Sequence, residues 1–365
     1  MNLGLFFLYF PFAVAFFAFV VFVRPLRLSR RAQLLALAGL LLASAKFCVY
    51  RRLGGDMFVP ELPFALIWGL DLCYSAVLLL APLSVPGLLL PRRLRAAVVP
   101  VLALALAAYG ISWVVCAPQV RELELFFPAL PAALDGYRIA HLSDLHISSA
   151  ARAEHTEKVV QAVNALTPDL ICITGDIVDG MPQRRLDDVL PLKGLCARDG
   201  VFACTGNHEY FGPWLEWRGI FARAGIWTLE NECVFPHEGL ALGGVNDRTV
   251  RWGVAGFGRL PDVRDTFAAA TNGEFRLLLE HRPVRAPENL REVGVDLQLS
   301  GHTHGGVMPG MAYLVARHNG GFVRGLYPLE GGYLHVSPGT GQWAGFPIRF
   351  FNDAEITLIT LRKDW

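Results

Sequence analysis

The sequence has no C-x-x-C pair. Its seven cysteines, Cys48, Cys73, Cys116, Cys172, Cys196, Cys204 and Cys233, are odd in number and irregular in spacing. That excludes a disulfide framework and a cysteine-based zinc site. Cys172 and Cys204 lie in apolar runs, where cysteine acts as a small hydrophobe. Charge is sparse as well, at 18% of residues, and it is unevenly spread. Residues 1–119 hold ten Lys and Arg against three Asp and Glu, a net +7; residues 120–365 hold 23 against 29, a net −6. The second half therefore lacks the basic footprint that nucleic acid requires, and no nucleic-acid partner is expected. A phosphate substrate held through metal ions remains compatible with that charge. Repeats and low-complexity tracts are absent from the same half.

What the first part does have is long apolar runs. Leu3–Val23, Ala32–Tyr50, Pro63–Leu90 and Ala96–Cys116 each reach the roughly 20 residues that cross a bilayer. No basic residue precedes the first run, and it is longer than a signal-peptide core, so a retained span is expected. Loops one and three carry Arg24, Arg27, Arg30, Arg31, Arg92, Arg93 and Arg95; loop two carries Arg51 and Arg52. Positive residues favour the cytoplasmic side, which puts loops one and three inside and both termini outside. The expectation is an integral plasma- or inner-membrane protein whose soluble domain is extracytoplasmic. Lys46 and Asp71 fall inside spans at similar depth and are expected to pair.

A length of 365 residues suggests about two domains. The pattern divides the chain into a four-helix membrane region at 1–117, a proline-rich connector at 118–135 and a soluble domain at 136–365. In that domain short apolar strands alternate with helical segments. Strands are expected at Tyr137–Leu142, Leu170–Thr174, Val201–Thr205, Phe275–Leu279 and Asp296–Leu299, with helices at Glu154–Leu166, Leu186–Cys196, Trp214–Ala224 and Pro287–Val293. Glu232–Val245 suggests a hairpin, and Ile356–Leu361 a closing strand. Such alternation gives a layered α/β fold with helices outside.

Sites in such folds gather beyond the carboxyl ends of the strands. Polar motifs stand at five of these ends: Asp144 and His146; Asp176; Asn207 and His208; His281; His302 and His304. Five of the ten histidines fall in them. The two rings of His302 and His304 project together because side chains along an extended backbone alternate with period 2. The donors are nitrogen and oxygen with no thiolate, which suits Mn²⁺, Fe or Zn²⁺. They outnumber what one tetrahedral site uses, so two ions are expected.

Together the set D-x-H, G-D, G-N-H-E, H and G-H-T-H resembles the calcineurin-like metallophosphoesterases over roughly residues 136–365. With the preceding spans, Gly305-Gly306 and the Pro347-Ile348-Arg349 segment, it resembles their membrane-anchored branch. The resemblance implies a four-layer α/β/β/α sandwich. It implies that Asp144, His146 and His304 hold one metal ion, that Asn207, His281 and His302 hold another, and that Asp176 and a water or hydroxide bridge them. His208 would contact phosphate or protonate the leaving oxygen, and Glu209 would orient His208 or cap the next segment. The implied activity is hydrolysis of a phosphodiester, phosphomonoester or pyrophosphate of a lipid-linked substrate. Hydrolysis of the pyrophosphate of UDP-2,3-diacylglucosamine in lipid A synthesis is one candidate, and an outer phospholipid or polyprenyl pyrophosphate fits the expected topology better. The alternatives are a nucleotidase or nucleotide phosphodiesterase, and a transport or sensory protein with a phosphate-binding domain. Asp179, His141, His155, His237, His318 and His335 are given structural or solvated roles and Asp247 a turn. Arg282 and Arg349 are given either a phosphate contact or a surface salt bridge.

Overall fold

A computed structural model describes residues 3–54, 61–112, 116–252, 258–271, 273–307, 310–350 and 353–364. The chain forms two compact units. The first comprises Met1–Val114 with Ala344–Arg349, and the second Val115–Trp343 with Phe350–Trp365.

Among the described residues of the first unit, three helices are long and apolar enough to cross a membrane: Leu8–Leu26, Phe64–Gly87 and Arg92–Ser112. The expected second span is broken. Arg30–Ala43 and Lys46–Gly54 meet at 63°, and counting them as one span raises the number to four. The break falls where Ser44 Oγ donates to the Leu40 carbonyl at 2.8 Å, a side-chain bond that competes with the helix ladder. Lys46 begins the second piece and is fully buried. Its ammonium lies 2.7 Å from Asp71 Oδ1 and donates to the Ala344 carbonyl at 2.5 Å. Tyr50 Oη donates to the same carboxylate at 3.1 Å. The rings of Phe47, Tyr50 and Tyr74 surround the ammonium at 5.0–5.5 Å. A charge this far from water is tolerable only with such a full complement of partners.

The second unit is built on two six-stranded mixed sheets. Its strands are β1 (Gln119–Phe127), β2 (Arg138–Leu142), β3 (Leu170–Thr174), β4 (Val201–Cys204), β5 (Ile226–Leu229), β6 (Glu232–His237), β7 (Leu240–Gly244), β8 (Phe275–Leu279), β9 (Leu297–Ser300), β10 (Gly325–Leu329), β11 (Gly332–Val336) and β12 (Glu355–Lys363). The first sheet has the order β1-β12-β2-β3-β4-β5, the second β10-β11-β9-β8-β7-β6. Strands β2 to β5 are parallel, as are β7, β8 and β9.

Strand β3, Leu-Ile-Cys-Ile-Thr, is buried throughout, which is how a strand covered on both faces reads. Leu170 and Cys172 point into the core between the sheets, alongside Phe202, Leu242, Leu277 and Leu299. Ile171 and Ile173 point outward to Val159 and Val163 of helix Ala153–Ala165 and to Trp217 and Phe221 of helix Trp214–Arg223. A third apolar cluster, with Leu278, Leu290, Val295 and Leu334, covers the far face of the second sheet. The result is a four-layer α/β/β/α sandwich. His141 on β2 and His335 on β11 meet between the sheets, Nδ1 to Nδ1 at 2.9 Å. Burial, and then the other ring, hold His141 well below the ordinary imidazole range, so this pair is a neutral structural contact.

Two helical boundaries differ from the sequence pattern. The helix expected at Leu186–Cys196 starts at Pro182 and becomes a 3₁₀ turn at Leu190, because Pro191 has no N–H for the ladder. The one expected at Pro287–Val293 is a single α turn at Ala286–Glu288 followed by a π turn at Asn289–Val293.

Removing one partner of the Lys46–Asp71 pair leaves a buried, uncompensated charge. Asp71→Ala is expected to cost about 3–5 kcal/mol, while Lys46→Met with Asp71→Leu costs far less. Thermal unfolding of the detergent-solubilised protein checks this; equal losses in the single and double variants would refute it.

Candidate metal centre

Strands β2, β3 and β4 are neighbours in one sheet, and β8 and β9 in the other. Being parallel, they release their carboxyl ends at one edge of the sandwich. The loops that follow hold unusual backbone. Asp144, His146, Asp176, His302 and His304 have φ of 50°, 44°, 50°, 70° and 46°. These are five of the nine non-glycine residues with positive φ among the described residues. Left-handed backbone is costly for side chains other than glycine, and it collects at functional sites. The glycines beside them make room. A Cβ on Gly301 would overlap Ser143 Oγ and the Asp144 carboxylate, and one on Gly206 would overlap Asp176.

Three groups of donors result among the described residues, and the third, His146 with Asp179 and His208, shares a ring with the first. In the first, His304 Nε2 lies 3.4 Å from Asp144 Oδ1 and 3.3 Å from His146 Nε2, and His146 Nε2 lies 3.9 Å from Asp144 Oδ1. In the second, His281 Nε2 lies 3.2 Å from Asp176 Oδ2 and 3.2 Å from His302 Nδ1. Asp176 stands between them, since the same Oδ2 is 3.8 Å from His146 Nε2. The donor atoms within each group all lie within 4.8 Å of one another. The neighbouring histidines His302 and His304 therefore point to different groups. Asn207 lies beside the second group, its Oδ1 accepting from Arg282 Nη2 at 3.2 Å, while Arg282 Nη1 reaches His302 Nε2 at 3.1 Å.

Partners behind the rings fix which nitrogen is free. His281 Nδ1 donates to the Thr174 carbonyl at 2.7 Å, and His146 Nδ1 to Asp179 Oδ2 at 2.9 Å. In both rings Nε2 faces the group; at His281, where Asp176 outweighs burial and raises the pKa to about 10, that nitrogen must give up its proton before it can ligate a metal. The chemistry of the set, imidazole nitrogen with carboxylate oxygen, fits a pair of divalent transition cations.

Asp179 corrects the sequence pattern, which gave it a structural or solvated place. It is buried, and its other oxygen accepts from His208 Nδ1 at 2.6 Å. One carboxylate thus holds two of the five motif histidines. Its signal was present in the sequence: Asp179 stands three residues after Asp176 in the same loop. Burial works against charge on all these groups. Even so, Asp179 and then Asp176 outweigh it at His208, whose pKa rises to about 9. His208 and His146 in turn hold Asp179 at about 2. His281 and His208 keep Asp176 well below the usual carboxylate range. Burial dominates at Asp144 and pushes its carboxyl up.

The bonds Glu209 makes are to backbone. Its carboxylate accepts from the backbone N–H of Asp176 at 2.9 Å, of Ile177 at 2.7 Å and of Gly206 at 2.6 Å, which ties the loop after β3 to the loop after β4. Trp343 is a residue the sequence gave no reason to choose. Its ring stacks near His304 at 6.3 Å and meets His208 edge-on at 5.8 Å. Phe211 also meets His208, at 5.0 Å.

A two-sheet sandwich with histidines and carboxylates at its strand ends is the architecture of a metallophosphoesterase. The calcineurin-like phosphoesterase family profile matches residues 137–306. The chain is 33% identical over 270 residues to a transmembrane protein with metallophosphoesterase domain of Danio rerio, covering 71% of this chain and 60% of that one. It is 31% identical over 246 residues to an uncharacterized metallophosphoesterase of Aquifex aeolicus, covering 67% and 92%. The chain therefore belongs to the calcineurin-like phosphoesterase family, although it spans only 60% of the length of its Danio rerio relative. A 5'-nucleotidase precursor from Thermus thermophilus is similar in structure at a TM-score of 0.38 and 18% identity, covering 61% of this chain and 54% of that one.

In the metal-free protein, NMR titration of His208 is expected near pH 9. Asp179→Asn removes the carboxylate bonded to its Nδ1 and brings the midpoint down toward the ordinary value of about 6.5. The imidazolium is present below the midpoint and lost above it. A midpoint that stays near 9 in the variant would show that Asp179 does not set it.

Proposed function

We propose that this chain is a membrane-anchored phosphoesterase that uses two divalent cations to hydrolyse a phosphodiester, phosphomonoester or pyrophosphate of a lipid-linked substrate. One observation carries this reading: two groups of imidazole and carboxylate donors stand side by side, with Asp176 between them. Family membership and the apolar helices support it.

Asp144, His146 and His304 would hold one cation and Asn207, His281 and His302 the other, with Asp176 shared. Bound there, the cations supply Lewis-acid polarisation of phosphoryl oxygens and a water acidified toward neutral pH. The protein's own residues do the rest. Asp179 takes the Nδ1 proton of His208 as a hydrogen bond, so Nε2 of that ring is the atom that faces substrate. The Asp179 carboxylate favours the charged form of that ring, which serves as the acid that protonates the leaving oxygen. Trp343 and Phe211 both meet the ring edge-on, at 5.8 and 5.0 Å. The backbone N–H of His208 donates to Asp176 Oδ1 at 2.8 Å, which fixes the shared carboxylate and the acid relative to each other.

Lipid linkage rests on the apolar helices, which exceed what an anchor needs. The arginine distribution favours an extracytoplasmic site when the broken helix pair counts as one span. An outer phospholipid or polyprenyl pyrophosphate suits that side, whereas a UDP-sugar would be cytoplasmic.

Asp176→Ala is expected to lower hydrolysis of an aryl phosphodiester by at least about 10³-fold, the scale on which removing a group that acts in concert is felt. Retained activity in a metal-replete variant would sink the assignment. Metal counting tests the division of ligands: His304→Ala and His302→Ala are each expected to lose one Mn²⁺ of two. Loss of both ions from either variant would overturn the division. Detergent-solubilised protein with Mn²⁺ is expected to turn over lipid phosphates faster than water-soluble ones of the same headgroup; the reverse order would remove the lipid from the proposal.

A further inference from the structure

Arg282 follows His281 in the loop after β8, and its side chain is 24% exposed. Four of its five N–H groups have partners. Nε donates to Asp247 Oδ2 at 2.6 Å. Nη2 donates to Asn207 Oδ1 at 3.2 Å and to Thr249 Oγ1 at 3.3 Å. Nη1 meets His302 Nε2 at 3.1 Å. Asp247 is itself fixed. It is buried, Oδ1 accepts from Thr249 N at 2.8 Å, and its own N–H donates to Thr205 Oγ1 at 3.0 Å. The guanidinium is thus a braced, planar donor rather than a surface arginine with a screened partner.

The contact with His302 is the informative one. Arginine donates and cannot accept. His302 Nε2 must therefore accept, which leaves the single proton of a neutral ring on Nδ1. Nδ1 is also the atom that faces His281 Nε2. A ring that gives Nδ1 to a cation must carry its proton on Nε2, and it then cannot accept from Arg282. Nη1 is left with two N–H groups beside His302, while Asp247, Asn207 and Thr249 keep the plane in place. A fixed guanidinium edge with two uncommitted donors matches the oxygens of a phosphoryl group.

We propose that Arg282 binds the phosphoryl group of the substrate through Nη1, and that loading of the second donor group with a cation is what frees it to do so. The inference rests on the two-cation reading above. It makes phosphate affinity depend on the cation and on Arg282 together, not on either alone.

The test uses the full chain in detergent, equilibrated with Mn²⁺ or freed of metal. Metal per chain is counted by mass spectrometry, and binding of inorganic phosphate is measured by calorimetry. Arg282→Gln is expected to keep its metal and bind phosphate about tenfold or more weakly, the loss of a hydrogen bond to a charged group. KM for an aryl phosphodiester should rise by a similar factor, with kcat less affected. Arg282→Lys keeps the charge without the planar fork and falls between; it also serves if the glutamine variant does not fold. In the metal-free protein, wild type and variants should bind phosphate equally weakly. The proposal is overturned if Arg282→Gln binds phosphate as tightly as wild type with full metal, or if it loses metal while each loaded chain binds phosphate normally. Either outcome would make Arg282 only a brace for Asn207 and His302. A wild-type chain that takes up no Mn²⁺ would instead overturn the two-cation reading together with this one.

Discussion

Everything at the candidate site depends on five side chains held on left-handed backbone. Asp144, His146, Asp176, His302 and His304 each occupy a conformation that costs about 1–3 kcal/mol. Such a cost persists only where the surroundings over-determine the loop. Here the loops are tied to one another: Asp144 N donates to the Gly175 carbonyl, His146 N to Asp176, Gly301 N to His281, Thr340 N to Ser143 and Gly341 N to Asp144, all at 2.7–3.0 Å. Beneath them, buried Leu, Ile and Phe side chains fill the space between the sheets, each contributing about 1.5–3 kcal/mol. The core is what lets the site be strained.

A second layer of partners turns that strained set into usable chemistry. Thr174 and Asp179 hold protons on the far nitrogens of His281 and His146, so the near nitrogens are the ones turned to the donor groups. Asp179 does more than one job, since it also keeps His208 charged. On the other flank, Asp247 holds Arg282 against Asn207 and His302. Negative charge on one flank supports an acid. On the other it restrains a guanidinium that would otherwise turn to solvent.

The same rule governs the membrane unit. Lys46 and Asp71 are tolerated without water because an ion pair, a tyrosine hydroxyl, a carbonyl and three aromatic faces satisfy them together. In both units, then, these buried charges sit inside a set of partners.

The sequence by itself determined the layered α/β class, the apolar N-terminal helices and the placing of the motif residues at strand ends. Those features are local: a buried parallel strand such as Leu170–Thr174 must be apolar on both faces, and a span must be apolar for about 20 residues. It did not determine the helix break at Ser44, the shift of the helix at Pro182, or the roles of Asp179, Glu209, Trp343 and Arg282. Asp179 and Glu209 look like ordinary loop carboxylates until β3 and β4 lie side by side and bring one to His208 and the other to three backbone N–H groups. Trp343 is 39 residues from His304 and 135 from His208 along the chain, so no spacing connects it with either. Arg282 looked equally suited to a surface salt bridge until the loops after β4, β7 and β8 converged. Strand ends can be read from a pattern of residues. Which side chains face one another across those ends depends on how the two sheets stack, and that is decided only when the whole core is packed.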